Sequence, residues 1–195
     1  FEVFVSDYGK LKEEYKDVLT HNEIEWEEET HTSSKILNAD VVMKSPGISE
    51  QAPIVKELLN QDVLVLSEIE FAAQFTDANI IGITGSNGKT TTTMMIYYIL
   101  YQAKLNVEMG GNIGKSFAGL IYKNPDHFVL ELSSFQLDGI RDFKPHIAVI
   151  TNITPDHLDR YNNKFENYIA SKFRIALNQT KGDFLIYDAD DEVIN

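Results

Sequence analysis

The sequence has 195 residues, 43% of them hydrophobic, with a formal charge of −13 and a pI near 4.7. That is enough apolar material for a core, and it suggests one domain plus part of another. The acidity argues against nucleic acid as a partner, because binders that track phosphates carry a basic face.

A small anion is still admissible, since a local loop can attract phosphate on an acidic protein. The sequence contains no cysteine, which excludes disulfide frameworks, cysteine metal sites and thiol nucleophiles and fits a reducing, cytoplasmic setting. No apolar run approaches the length of a membrane span, and the start lacks the pattern of a signal peptide. Position 1 is Phe in a strand-like run, and Asp188 to Asn195 follow a strand pattern and stop, so the chain reads as a fragment of a longer protein.

Glu2-Val3-Phe4-Val5 predicts a strand, and Leu11, Tyr15, Val18 and Leu19 recur behind it at helical spacing. The acidic stretch Glu23 to Glu29 reads as a solvated face with Ile24 and Trp26 turned inward, with no function attached. Asp40 to Met43 is a second strand ending in Ser45-Pro46-Gly47. Ile54, Val55, Leu58 and Leu59 mark a helix, and Val63 to Leu66 a third strand. Strands alternating with helices imply parallel sheets. The polar stretch Gln74 to Asn79 reads as a linker, which divides the chain into domains 1–76 and 77–195.

In the second part Ile80 to Thr84, Phe128 to Leu132, Ile147 to Ile150 and Phe184 to Tyr187 are strands. Met94, Tyr97, Tyr98 and Tyr101 fall on one helix face, and Phe165, Ile169, Phe173 and Ala176 mark a further helix. The fold class is α/β, a Rossmann-like domain followed by a phosphate-loop domain with a parallel sheet.

The strongest chemical signal is Thr84-Gly85-Ser86-Asn87-Gly88-Lys89-Thr90-Thr91, placed between a strand and a helix. Glycines let backbone N–H groups turn toward phosphate oxygens, and the helix N-terminus adds partial positive charge. Lys89 can reach the outer phosphates of a nucleoside triphosphate, and the Thr90 hydroxyl can bind Mg²⁺. Ile83 stands where the strict motif has its first glycine.

Glu131, at the end of a buried strand, is either a hard oxygen ligand for Mg²⁺ or a strand-end acid that meets water. His157, in Thr154-Pro155-Asp156-His157-Leu158-Asp159-Arg160, is a metal or phosphate-ligand contact, or is simply hydrated. Gly110-Gly111-Asn112-Ile113-Gly114 is a backbone approach to a ligand or a plain turn. Ser45-Pro46-Gly47 and Ser6-Asp7 carry the same ambiguity. By pattern alone Lys172 faces solvent.

In order along the chain, Ser45 to Ile48, Ile83 to Thr91, Gly110 to Gly114, Glu131 to Leu137, Asn152 to Tyr161 and Ser171 to Ile175 resemble the Mur ligase family. The Glu-Leu-Ser-Ser-Phe-Gln-Leu segment points to its D-glutamate-adding branch. The family also lacks the first glycine of the phosphate loop.

The resemblance implies an ATP-dependent ligase that joins D-glutamate to UDP-N-acetylmuramoyl-L-alanine in peptidoglycan precursor synthesis. It also implies two Mg²⁺ ions, a monomer, and no membrane or nucleic-acid partner. Gly85, Ser86, Asn87, Gly88, Lys89, Thr90 and Thr91 would hold ATP. Thr90, Glu131 and His157 would serve the magnesium sites, with Lys172 carbamylated beside them. Asn112, Ser133 and Gln136 would contact the muramoyl or alanyl part, Ser45, Pro46 and Gly47 the diphosphate, and Ser6 and Asp7 the uridine. Another Mur ligase, a folylpolyglutamate synthetase and a nucleotide-binding module without ligase activity are the competing readings.

Overall fold

Alternation of strand and helix continues through the whole chain in the computed structural model, which describes residues 2–49 and 51–195. The chain forms two compact units, Phe1–Val42 with Ser49–Val65, and Met43–Ile48 with Leu66–Asn195.

The first unit opens with β1 (Phe4–Ser6), α1 (Glu13–His21), β2 (Glu25–Glu27) and α2 (Ser33–Ile36). The acidic stretch contains β2, paired parallel to β1 with Trp26 opposite Val5; Glu23, Glu25 and Glu29 are exposed and Ile24 and Trp26 half-buried, so the expected solvated face is carried on a strand. Two of its carboxylates are structural. Glu28 accepts from the Leu11 amide at 2.8 Å, and Glu27 from the Thr32 amide at 2.7 Å. Sequence pattern alone missed this strand because Glu27 and Glu28 accept from donors on other segments, Thr32, Leu11 and Lys16, which the run of acids does not reveal. Next come β3 (Val41–Lys44), α3 (Pro53–Asn60) and β4 (Leu64–Ser67), with β3 and β4 forming a two-stranded sheet. Proline at its first turn suits α3, and Val55 and Leu58 are its buried side chains.

Beyond the ends of β3 and β4, the second unit continues with α4 (Glu68–Ala73), capped by the Ser67 hydroxyl on the Glu70 amide at 3.1 Å. Then follow β5 (Asn79–Thr84), α5 (Lys89–Gln102), β6 (Val107–Gly111), β7 (His127–Glu131), α6 (Ser134–Asp138), β8 (Ile147–Ile150), α7 (Phe165–Phe173) and β9 (Phe184–Tyr187). The five strands form one parallel sheet in the order β6-β7-β5-β8-β9. After β5 the chain goes to the far edge, returns through β7, and then crosses to β8 on the other side. The point where strand order reverses lies beside β5, and ligands of open α/β sheets bind at the carboxyl ends there.

Buried side chains of Phe117, Phe128, Leu130, Leu132, Leu137, Ala148, Ile150, Tyr168 and Ile175 pack one face of this sheet. Ile83, Val107 and Val129 pack the other against Ile96, Tyr97 and Leu100 of α5. The helix face expected from Met94, Tyr97, Tyr98 and Tyr101 is therefore not the inward one: Met94, Tyr98 and Tyr101 are exposed. Apolar residues surround α5 on nearly every side, so periodicity there could not single out the buried stripe.

Candidate functional site

The loop between β5 and α5 takes its shape from two glycines. Gly85 has φ +143°, and a Cβ there would lie 2.0 Å from Thr151 Oγ1. Gly88 has φ +81° and is the N-cap of α5. Both conformations disfavour an L side chain. The first amides of α5 have no acceptor within the helix and point out of its N-terminus, a ready seat for an anion. Lys89 folds over the loop, donating from Nζ to the carbonyls of Gly85 and Ser86 at 2.9 Å each. Two of the loop amides expected to hold phosphate are occupied. Ser86 N donates to Asn152 O at 2.9 Å, and Asn87 N to Asn152 Oδ1 at 3.0 Å.

Glu131, the last residue of β7, is 2% exposed. Thr90 Oγ1 donates to its Oε2 at 2.7 Å, and Asn112 Nδ2 to its Oε1 at 2.8 Å. The Asn112 amide also donates to the Glu131 carbonyl at 2.8 Å. Gly111 makes this possible, since a Cβ there would lie 2.4 Å from that carbonyl oxygen. Gly110 and Gly111 are thus the end of strand β6, not only a loop. The carboxylate and the Thr90 hydroxyl are hard oxygen donors side by side, the donor type that magnesium takes.

Lys172 is 2% exposed on α7, against the solvent-facing position its pattern suggested. Its Nζ donates to Thr84 Oγ1 at 3.3 Å and stands 5.2 Å from the centre of the Tyr168 ring. Burial, and then repulsion from Lys89, push its amine down to about 7, against the pull of Asp156, Asp138 and Glu131. A large share of this lysine is therefore neutral near neutral pH.

His157 has φ +49° and a half-exposed side chain, with Nε2 3.5 Å from Asp156 Oδ2. Its ring packs on Phe135, 5.2 Å between centroids, at the start of α6 just beyond Glu131. Arg160 also lies against Phe135, its guanidinium 4.6 Å from the ring centroid. No group of three His, Cys, Asp or Glu side chains gathers as a metal cluster among the described residues.

The remaining expected residues find partners within the protein. Ser133 and Gln136 form a capping box at the N-terminus of α6: the Ser133 amide donates to Gln136 Oε1 at 2.9 Å, and the Gln136 amide to Ser133 Oγ at 3.2 Å. Ser45, Pro46 and Gly47 follow β3, with Arg160 Nη1 3.5 Å from the Gly47 carbonyl. In the first unit, Ser6 donates to Glu27 Oε1 at 2.7 Å and contacts His31 Nδ1 at 2.6 Å, while Asp7 Oδ1 caps the Gly9 amide. Lys89, Thr90, Asn112, Glu131 and, through Thr84, Lys172 share one rim of the sheet.

Sequence reasoning gave no role of their own to Thr84, Thr151, Asn152 and Tyr168, which bind this rim together. Thr84 stood in the phosphate-loop motif and Asn152 in a segment of the family resemblance; beyond that the signal was position, since Thr84 and Thr151 end or directly follow adjacent strands.

Residues 83–195 match the Mur ligase middle domain, and residues 1–54 the MurD N-terminal domain. UDP-N-acetylmuramoylalanine--D-glutamate ligases of Christiangramia forsetii and Bacteroides thetaiotaomicron are 62% and 54% identical over 195 residues. Those matches cover 100% of this chain and 44% of each relative, so the chain spans less than half the length of these curated relatives.

Among solved structures, the UDP-N-acetylmuramate:L-alanyl-gamma-D-glutamyl-meso-diaminopimelate ligase of Neisseria meningitides aligns with a TM-score of 0.66 at 18% identity. That alignment covers 100% of this chain and 65% of the other. A UDP-N-acetylmuramate-alanine ligase of Thermotoga maritima aligns at 0.57 and 20% identity, covering 98% of this chain and 50% of the other. These two show the fold alone. With a phosphate-type loop at the reversal point of a parallel sheet, and a family match over 83–195, the chain belongs to the Mur ligase family.

Proposed function

We propose that the chain is the substrate- and nucleotide-binding part of a cytoplasmic, ATP-dependent ligase that adds D-glutamate to UDP-N-acetylmuramoyl-L-alanine. The observation that carries this reading is the meeting of Lys89, Thr90 and Glu131 at one rim. The 62% identity to a protein named for that activity supports the substrate. Residues 1–76 would bind the UDP end and 77–195 the ATP, a division that the two family matches support by falling on either side of it.

In this reading a carboxylate oxygen of the substrate attacks the γ-phosphorus of ATP, the bond to the β-phosphate breaks, ADP leaves, and the carboxylate becomes an acyl phosphate. The amine of D-glutamate then displaces phosphate. The obstacle is repulsion, since a carboxylate must approach a polyanion. Lys89 would leave its loop carbonyls for the outer phosphates, and the α5 N-terminus would add its dipole. Magnesium would neutralise phosphate charge. Thr90 and Glu131 would hold it with oxygen donors, His157 would complete the second magnesium site, and Lys172 would serve there as a carbamate. The depressed pKa of Lys172 suits that modification, because only a neutral amine captures CO₂.

Asn112, Ser133 and Gln136 would face the muramoyl or alanyl part, Ser45, Pro46 and Gly47 the diphosphate, and Ser6 and Asp7 the uridine. For Asn112, Ser133 and Gln136 this requires groups now bonded within the protein to keep a free donor or acceptor.

The test is phosphate release by the full-length protein with ATP, Mg²⁺, UDP-N-acetylmuramoyl-L-alanine and D-glutamate. Release should need both acceptor and amino acid and should vanish in Lys89→Ala. Release driven equally well by another amino acid, or unchanged in Lys89→Ala, would refute the reading.

A further inference from the structure

Residues 151–154, just beyond β8, grip the phosphate loop at its centre. Asn152 makes a two-point pair with Asn87: Asn87 N donates to Asn152 Oδ1 at 3.0 Å, and Asn152 Nδ2 donates to Asn87 O at 3.0 Å. Thr151 Oγ1 adds a second bond to Asn87 O at 2.7 Å. The backbone amide of Ser86 donates to Asn152 O at 2.9 Å, and the Ser86 hydroxyl donates to Thr154 O at 2.8 Å. Tyr168 OH contacts Ser86 Oγ from α7 at 3.2 Å.

A residue pinned at both its N–H and its C=O cannot turn its backbone freely. Asn87 precedes Gly88, whose positive φ starts α5. Fixing the backbone of Asn87 therefore fixes where the next amides of the loop and helix point. A carboxamide is the side chain that supplies one donor and one acceptor at this spacing; a carboxylate would place its second oxygen against Asn87 O.

We propose that Asn152 is a positioning residue for nucleotide binding. Its side chain takes the Asn87 amide for itself, sets the amides that follow it at the start of α5 toward the ligand before the ligand arrives, and ties the loop to the segment that continues to His157. This rests on the ATP reading above. The benefit is preorganisation: a loop already ordered loses less entropy when it closes on phosphate.

The test is ATP affinity of the full-length protein by calorimetry, with steady-state kinetics and thermal melting on the same variants. Asn152→Ala should weaken ATP binding roughly ten-fold, the size of two lost hydrogen bonds. It should raise KM for ATP by a similar factor and leave kcat and the KM of the other substrates in place. Asn152→Asp should bind ATP more weakly still, because it adds repulsion toward the triphosphate; it is nearly isosteric and gives the reading if the alanine variant does not fold. Asn178→Ala is the structural control: Asn178 also bridges two carbonyls, of Arg141 and Phe143, far along the chain from the loop. It should lower the melting temperature without changing ATP affinity.

ATP affinity within about two-fold of the unsubstituted protein in both Asn152 variants would overturn the proposal. So would an equal loss of affinity in Asn178→Ala. If Lys89→Ala also binds ATP normally, the nucleotide reading itself falls.

Discussion

Thr90 Oγ1 donates to Glu131 Oε2 at 2.7 Å, joining the first turn of α5 to the end of β7 across 41 positions of sequence. With Asn112 on Oε1, both oxygens of a 2%-exposed carboxylate are engaged. A hydroxyl can donate or accept, so Glu131→Gln can keep this network: Asn112 donates to the amide oxygen, and Thr90 accepts from the amide nitrogen. Its melting temperature should stay near that of the unsubstituted protein. It lacks the anionic oxygen for a divalent cation, so Mg²⁺-dependent ATP binding should fall at least ten-fold, about 1.4 kcal/mol or more. Unchanged Mg²⁺ dependence would remove Glu131 from the proposed magnesium site.

Lys172 gives a pH signature. Its amine is held near 7 in the folded chain against 10.5 when unfolded. Below about pH 7 both states are protonated, and the cost of a buried charge is fully present. As pH rises from 7 toward 10.5 the folded state releases its proton first, and stability rises by about 1.4 kcal/mol for each pH step of one in that window. Lys172→Met should be more stable than the unsubstituted protein at pH 7 and should lose that part of the slope. Urea unfolding at several pH values between 7 and 10 measures it; parallel curves for the two proteins would contradict the assignment. Under the proposed function, the full-length protein should lose ligase activity in Lys172→Met, and the unsubstituted full-length protein should slow when CO₂ is removed.

Gly85 allows no Cβ, with Thr151 Oγ1 2.0 Å from the position it would take and φ at +143°. Gly85→Ala must move Thr151, which breaks its bond to Asn87 O, or shift the loop, which disturbs the Asn152 bonds on Asn87 as well. We expect a loss of stability of about 1–3 kcal/mol from backbone strain, together with loss of ATP binding. Calorimetry and titration on one preparation check both.

At the opposite rim of the sheet, Glu70 is 2% exposed and accepts three backbone amides: Arg141 and Phe143 on Oε2, at 2.7 and 3.0 Å, and Asp142 on Oε1 at 3.0 Å. Glu70→Gln can accept two and must set its amide hydrogens against the third. The cost should be about 1–3 kcal/mol, seen as a fall of several degrees in the melting temperature. ATP affinity should not change, because Glu70 precedes β5 and the phosphate loop follows it.

Alternating strands and helices, parallel sheets and the place of the phosphate loop were all legible in the residues. These are local matters: short apolar runs, a strand handing over to a helix, and glycines where the backbone must take positive φ. The same local logic failed at β2, where a run of acids hid a strand, and at α5, whose apolar residues encircle the helix.

Which side chains become partners emerged only on folding. Lys172 looks like any surface lysine until α7 packs it 2% exposed beside Thr84, and Asn152 has no role of its own until β8 lies next to β5. Glu131 was legible as an acid at a strand end, but Thr90 and Asn112 reach it only because β6, β7 and β5 are neighbours in the sheet. A hydrogen bond between residues tens of positions apart depends on strand order and register, and neither is written in the spacing of side chains along one segment.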